Sequence, residues 1–546
     1  MVADYVFYNG EVITVDANNS IVDSVAIKEN RILAVGEFES LQQFIGEETK
    51  QIDLDGRSLL PGFNDAHLHL VYYGVNQLAI SCKSPEQTSV ETLLNALKEK
   101  AKVTPPGRWI RAWGFNENTV TEQRYPTLEE LNAVSIEHPI LISRTCGHIS
   151  ILNQTALNLA NIDEHTPDPQ GGVIEKDSNG KLTGRLIEAA SMQIAEIATY
   201  SEDELKEGIK IANEHFLKTG ITSVGEAGTF GSESFRTLQL AIQQGLLQIR
   251  VYALLGSLTD SKDFSEKIIA SGVVTGTGNE WFRLGPVKLF TDGSSTGPTI
   301  ATREGYTSDP ENHGILYYSE EEIYNVLGVA HKLGYQITVH AQGDKAIEMY
   351  LNVVERALKE HPRDNHRHRI EHAGISTPDI QDRIKELGMV PIPNPPFHYE
   401  FGESYIRNYG ERVNYMYPAR DFIDKGIIAA AGSDSPVTDY PPLLGIHTAV
   451  NRKSKNGVDI GAEQAVEVLE AIKMYTWNGA YASFEEEIKG SIEPGKLADI
   501  IILNGSILKE DKTRIKDLQI DATIVDGKIA FERNTNTIGG VVHEVH

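Results

Sequence analysis

The chain has 546 residues, 40% hydrophobic and 23% charged, and its 77 Asp and Glu against 50 Lys and Arg give a formal net charge of −27. That length accommodates one large barrel with a smaller domain, and the acidity argues against nucleic acid and anionic membranes as partners. Two cysteines, Cys82 and Cys146, exclude a thiolate zinc site or a disulfide framework.

The first ~57 residues read as β-strands punctuated by turns. Tyr5–Tyr8 runs into Asn9-Gly10, and runs rich in β-branched residues follow at Glu11–Val15, Ser24–Ile27 and Arg31–Val35. The C-terminus has the same texture at Ala498–Leu503, Ala522–Val525 and Lys528–Phe531, with Asp526-Gly527 as a hairpin turn. One small β-sandwich built from residues 1–57 and 490–546 is expected, with 58–489 as the catalytic domain between its two pieces.

After Leu59–His69 the regular pattern stops until about residue 202. Within 75–200, Trp109–Asn116 and Ile140–Arg144 read as strands and Ser89–Ala101 as a helix. An α/β insertion of this size after a first barrel strand is expected to be a lid or specificity element. From the capped start Ser201-Glu202-Asp203-Glu204, helix and strand alternate. Strands are expected at Ile221–Val224, Arg250–Leu254, Val287–Phe290, Gln336–His340, Arg369–His372, Met389–Ile392 and Ile427–Ala431. With the run ending at His69 these make eight, which implies an α/β fold, a (β/α)8 TIM-type barrel with reactive groups at the C-terminal strand ends.

Five runs end in a residue able to bind metal. His67 and His69 are two apart, so on a strand both project from one face, which Asp65 shares. His340 and His372 end equivalent strands, and imidazole nitrogen suits zinc. Asp434 follows Gly432-Ser433; it reads as a helix N-cap or as a carboxylate that binds metal and relays a proton. Lys288 is the odd member. An ammonium ~4 Å from a divalent ion, at an effective dielectric of ~20, is repelled by roughly 8 kcal/mol. It must swing away, deprotonate, or react with CO2 to give an anionic carbamate that bridges two metals; pairing with an acid inside the barrel is the structural alternative.

Leu60-Pro-Gly-Phe-Asn-Asp-Ala-His-Leu-His69, Val287-Lys-Leu-Phe-Thr-Asp-Gly-Ser294, His340-Ala-Gln-Gly-Asp-Lys-Ala346, Arg369-Ile-Glu-His-Ala373, Gly432-Ser-Asp-Ser-Pro436 and Gly490–Asp499 together resemble the amidohydrolase superfamily. Within it they resemble the YtcJ-like and AepA-like branch that includes N-substituted formamide deformylases. The resemblance covers nearly the whole chain. It implies one or two divalent metals, most commonly zinc, with His67, His69 and Asp434 on the first, His340 and His372 on the second, and carboxylated Lys288 between them as a binuclear centre. It also implies hydrolysis of a non-peptide C–N bond (N-formyl, acyl or carbamate) by metal-activated hydroxide, with Asp434 passing the proton to the leaving nitrogen. Ser295–Thr299, Gln342 and the run Pro391–Pro396 depart from the pattern, in rim loops that bear on substrate.

A decarboxylase or deaminase on the same scaffold, and a regulatory protein that has lost catalysis, are the alternatives. His148, after the strand-like run at 140–144, is expected to contact substrate or the oxyanion, with Glu188 a weaker candidate. His313, His398 and His447 are expected in loops near the mouth as bystanders, and the His- and Arg-rich run 361–368 as a solvated approach to the sixth strand. Met1–Tyr5 carries no basic-then-apolar leader and no run approaches the ~20 apolar residues of a membrane span. A cytoplasmic protein acting on a small molecule is therefore expected, and the sequence is compatible with a homo-oligomer.

Overall fold

The computed structural model describes residues 1–82, 87–117, 119–144, 149–169 and 172–534. It divides into two compact units, residues 1–72 with 212–546, and residues 73–211.

The larger unit is organised by an all-parallel sheet of seven strands. These are β1 (Phe63–Leu68), β2 (Ile221–Glu226), β3 (Arg250–Leu255), β4 (Phe282–Phe290), β5 (Ile337–Ala341), β6 (Arg369–His372) and β7 (Val390–Ile392), and they neighbour one another in chain order. Helices such as Ser232–Gln243, Asp344–Glu360 and Pro378–Glu386 follow the strands. Sequential parallel neighbours joined through helices bury both faces of the sheet, which is why the strands are apolar runs without polar alternation. β1, β2, β3, β6 and β7 are buried along their whole length.

The expected eighth strand, Ile427–Ala431, is not a regular strand. The chain there still bridges the two edges of the sheet. On the β7 side the Ala430 N–H donates to Pro391 O (3.2 Å) and the Gly432 N–H to Pro393 O (3.1 Å); on the β1 side Ala431 O accepts from the Ala66 N–H (3.0 Å) and the Asp434 N–H donates to His67 O (2.7 Å). The ladder is broken because other backbone groups are diverted. The Ala431 N–H donates to Met474 O (3.0 Å), and Ala429 O accepts from the Asn478 side chain (2.8 Å). The sheet is thus nearly closed.

The chain ends form two smaller sheets, the first from N-terminal residues alone and the second from both ends. One has four strands, Tyr5–Tyr8, Ser24–Lys28, Arg31–Gly36 and Lys50–Asp53; the other joins Glu11–Ile13, Ile21–Val22 and Ser58–Pro61 to Ile500–Leu503, Ile520–Val525 and Lys528–Glu532. They share one apolar cluster containing Phe7, Val25, Ile27, Leu59, Ile500 and Ile524. Asp526-Gly527, with φ of 56° and 72°, turns the last hairpin as its sequence predicts.

The second unit contains a six-stranded mixed sheet. Ile80–Ser81, Ile110–Phe115 and Ile140–Arg144 are parallel, and Ile149–Leu152, Leu182–Glu188 and Gly172–Lys176 continue it antiparallel. Its helix Val90–Val103 is capped by Ser89, whose side chain accepts from the Thr92 N–H. Among the described residues no helix is long and apolar enough to cross a membrane.

The approach to β6 is solvated only in its first part: Pro362, Asp364 and Asn365 are exposed, but His366, Arg367 and His368 are all buried. His368 Nε2 lies 2.8 Å from His331 Nδ1, and Arg367 forks onto Glu486 at 2.7 and 2.9 Å. Polar residues can be buried where they satisfy one another, and a one-dimensional reading of polarity misses that. Likewise His398 and His447 are buried on the helices Pro396–Tyr409 and Pro442–Asn451 rather than lying in loops. His313 does lie in a loop.

Candidate active site

β1 delivers two imidazoles to one carboxylate. His67 Nε2 and His69 Nε2 are each 3.3 Å from Asp434 Oδ1. Asp434 has φ of 59°, a left-handed conformation that Asp tolerates better than most residues, and its N–H is tied to His67 O. Gly432 permits this approach: a Cβ there would stand 2.7 Å from His67 Cβ and 2.8 Å from its backbone N and O. Asp65 faces the same loop, where it accepts the Ser433 N–H at 3.1 Å and the His67 N–H at 3.2 Å. Burial pushes its carboxyl up to about 7.

His372, at the end of β6, stands with its ring centroid 4.7 Å from that of His67 and 4.5 Å from that of His340. One ligand atom each from His67, His372 and Asp434 lie within 4.8 Å of one another. His372 therefore gathers with His67 and Asp434, not only with His340. Burial holds the His372 and His340 rings below their ordinary range, His340 at about 4, so both are neutral near pH 7.

The outer ring nitrogens assign the tautomers. His67 Nδ1 is 2.5 Å from Glu371 Oε2, and His69 Nδ1 is 3.1 Å from Gly228 O. His372 Nδ1 is 2.7 Å from Asn394 Oδ1, whose amide nitrogen is spent on Gly432 O (3.0 Å). Each partner atom is an acceptor, so each Nδ1 carries the proton and each Nε2 presents a lone pair. His340 is reversed: Nε2–H donates to Gly293 O (2.9 Å), which leaves Nδ1 free.

His67 Nε2 is buried and, among the described residues, has no hydrogen-bond partner, although Asp434 Oδ1 is 3.3 Å away. Two acceptors facing each other repel unless a cation lies between them. The donor set fits a divalent metal: neutral imidazoles and one carboxylate, with the outer nitrogens held by a carboxylate, a carbonyl and an amide. Burial works against the Asp434 carboxylate, but the surrounding imidazoles of His67, His69 and His372 hold it well below its usual range.

Lys288 is fully buried on β4. Its Nζ donates to Ala227 O (2.8 Å) and lies 4.7 Å from the Phe290 ring centroid. Among the described residues no carboxylate oxygen comes within 4.0 Å of it, so the acid-paired alternative is not what the side chain does. Burial pushes its amine down to about 8, partly offset by Glu371 and Asp434.

Several residues that order this site carry no separate signal in the sequence. Glu371 also accepts from Arg369 (2.7 and 2.8 Å) and Thr338 (2.8 Å), so a buried Arg–Glu pair stands behind His67. Burial works against Glu371, but Arg369 and His67 hold it well below the usual carboxylate range. The clue available was Arg369 and Glu371 two apart on an otherwise buried strand, hence on one face. Asp292 is also fully buried; it accepts the N–H groups of Ala301 (3.1 Å), Gln342 (3.1 Å) and Gly343 (2.8 Å) and so ties the loops after β4 and β5 together behind His340. His148 lies outside the described residues, as does the side chain of Glu188.

The amidohydrolase family model matches residues 50–531. This chain belongs to the amidohydrolase family. It is a metal-dependent hydrolase acting on carbon–nitrogen bonds. Bacillus subtilis has a relative, putative amidohydrolase YtcJ, that is 30% identical over 97% of this chain and 99% of its own length. The N-substituted formamide deformylase of Arthrobacter pascens is 29% identical over 97% of this chain and 98% of its own. Among solved structures, an uncharacterised metal-dependent hydrolase from Pyrococcus horikoshii superposes with a TM-score of 0.78 at 27% identity, covering 94% of this chain and 99% of that one.

Proposed function

We propose that His67, His69, His372 and Asp434 hold a divalent ion, with zinc best suited to the donors, and that the substrate is an N-formyl or N-acyl amide or a carbamate. The observation that carries this reading is the buried, unpartnered Nε2 of His67 facing Asp434 Oδ1 across 3.3 Å. A divalent ion bound there would acidify a water and polarise a substrate carbonyl. The chain's own groups do the rest. Glu371, Gly228 and Asn394 fix three imidazoles with their lone pairs inward, and Asp434 takes the proton from the attacking water and passes it to the leaving nitrogen as the C–N bond breaks. The similarity to a formamide deformylase over nearly the full length of both chains supports the choice of substrate class.

Lys288 belongs to the same proposal. Its neutral amine would attack CO2, forming the N–C bond and releasing one proton, and the resulting anionic carbamate would supply oxygen donors toward a second ion held with His340. The lowered basicity of the amine and the lack of an acid partner support this. In architectural terms we propose that 429–434 occupies the eighth position of a (β/α)8 barrel, that the two terminal sheets form one sandwich that runs past the expected boundary at 57 to Pro61, because Ser58–Pro61 pairs with Ile500–Leu503, and resumes near 490, and that 75–200 is a unit inserted after β1.

The test is a panel of N-formyl amines, N-acyl amines and carbamates given to zinc-loaded protein, with formate, amine, ammonia and CO2 measured separately. Amine release matched one-to-one by formate or acid supports the reading. Ammonia or CO2 as the sole product from every active compound sinks it in favour of a deaminase or decarboxylase.

A further inference from the structure

The strands that carry the candidate metal ligands have a second end. A cavity of about 240 Å³ is lined by Thr275, Arg283, Gln336, Arg363, His366 and Phe484 among others. Gln336 and His366 stand just ahead of β5 and β6, and Arg283 near the start of β4. At about 3.3 Å of rise per residue, Gln336 is roughly 13 Å along β5 from His340, and Arg283 roughly 17 Å along β4 from Lys288. The cavity is therefore separate from the metal site.

Its charge is unusual for so acidic a chain. Among the described residues neither Arg283 nor Arg363 has a carboxylate oxygen within 4.0 Å. Arg283 Nε is buried with no hydrogen-bond partner. Among the described residues Arg363 donates only to backbone carbonyls, Tyr335 O at 2.6 Å and His331 O at 3.3 Å, which leave its charge uncompensated, and burial pushes its basicity down. The neighbouring arginines differ. Arg367 forks onto Glu486 and Arg369 onto Glu371. Asp364 also lines the cavity, but it is exposed to water. His366 adds no charge, because its Nε2–H donates to Leu387 O (2.9 Å) and its Nδ1 accepts the His368 N–H (3.0 Å).

We infer that this cavity is a binding site for a small oxyanion, a carboxylate or phosphate, held between Arg283 and Arg363. The planar guanidinium fork matches two oxygens of such a group, and a half-buried cation without a counter-charge recovers its desolvation cost when the anion enters. Binding only to the folded form stabilises it in proportion to occupancy.

The experiment titrates inorganic phosphate and, separately, citrate into metal-loaded full-length protein by calorimetry at low ionic strength, and follows the melting temperature alongside. Wild type binds one or both, and the two titrants tell phosphate from carboxylate preference. Arg283→Gln and Arg363→Gln each weaken binding about tenfold, the size of one lost charge-assisted hydrogen bond, with turnover unchanged. Arg283→Lys keeps the charge, loses the fork and falls between. Asp364→Asn, an exposed change that leaves the fold intact, tightens binding. The inference is overturned if wild type binds neither anion at tens of millimolar (about the useful ceiling of such a titration), or if the Arg→Gln variants bind as wild type does, which would place the anion on the metal instead.

Discussion

Replacing Glu371 with Gln removes one charge from a fully buried site. The wild-type carboxylate is fully buried and accepts four hydrogen bonds: two from Arg369 at 2.7 and 2.8 Å, one from Thr338 at 2.8 Å and one from His67 Nδ1 at 2.5 Å. A glutamine has one acceptor oxygen. If that oxygen serves Arg369, the amide NH2 faces His67 Nδ1, which must then accept. The imidazole proton moves to Nε2 and points at Asp434, where the metal would sit. Loss of such an outer-shell carboxylate weakens metal binding by about 10–100-fold, or roughly 1.4–2.7 kcal/mol. Arg369 also loses its buried counter-charge, at a cost of about 3–5 kcal/mol of folding stability. Metal retention is read by dialysis against graded chelator followed by elemental analysis, and stability by the urea midpoint of the metal-free protein. Wild-type retention together with a wild-type midpoint would refute the idea that Glu371 sets the His67 tautomer.

Asp434→Asn should lower turnover by about 10²–10⁴-fold while part of the metal is retained; unchanged turnover on the same substrate would remove Asp434 from proton transfer. Metal-free, CO2-depleted protein should regain activity with metal plus CO2 at a rate that, at fixed dissolved CO2, rises with pH through about 8, because the amine of Lys288 must be neutral to attack CO2; a rate independent of CO2 would count against the carbamate. Gly432→Ala puts a methyl 2.7 Å from His67 Cβ and should cost about 1–3 kcal/mol by overpacking together with metal affinity; a full metal complement at an unchanged melting temperature would show that the loop can yield. His366 has its folded basicity lowered by burial to about 4 against an ordinary 6.5, so the folded state binds fewer protons than the unfolded chain between those values. Its contribution is complete above about pH 6.5 and is lost as pH falls toward 4, so the stability advantage of wild type over His366→Asn should shrink from pH 7 to pH 5. A constant or growing difference would mean that His366 is charged in the fold.

The seven parallel strands were legible because each is a short apolar run followed by a helical pattern. The bridge at 427–431 reads like the others, and its departure from a ladder depends on Met474 and Asn478, more than forty positions away. The end of the approach to β6, residues 366–368, was misread for a similar reason: His331, His368 and His366 look polar along the chain and satisfy one another only once folded.

The amino-acid sequence by itself determined which donor types exist and where along the strands they fall, because a two-residue repeat puts His67 and His69 on one face whatever surrounds them. Only the tertiary structure decided which donors meet. It set His372 beside His67 and Asp434, gave each imidazole an acceptor that turns its lone pair inward, and left Lys288 buried on a carbonyl without a counter-ion. Tautomer and basicity depend on contacts within about 3 Å, and those contacts come from residues as far apart in the chain as 67 and 371.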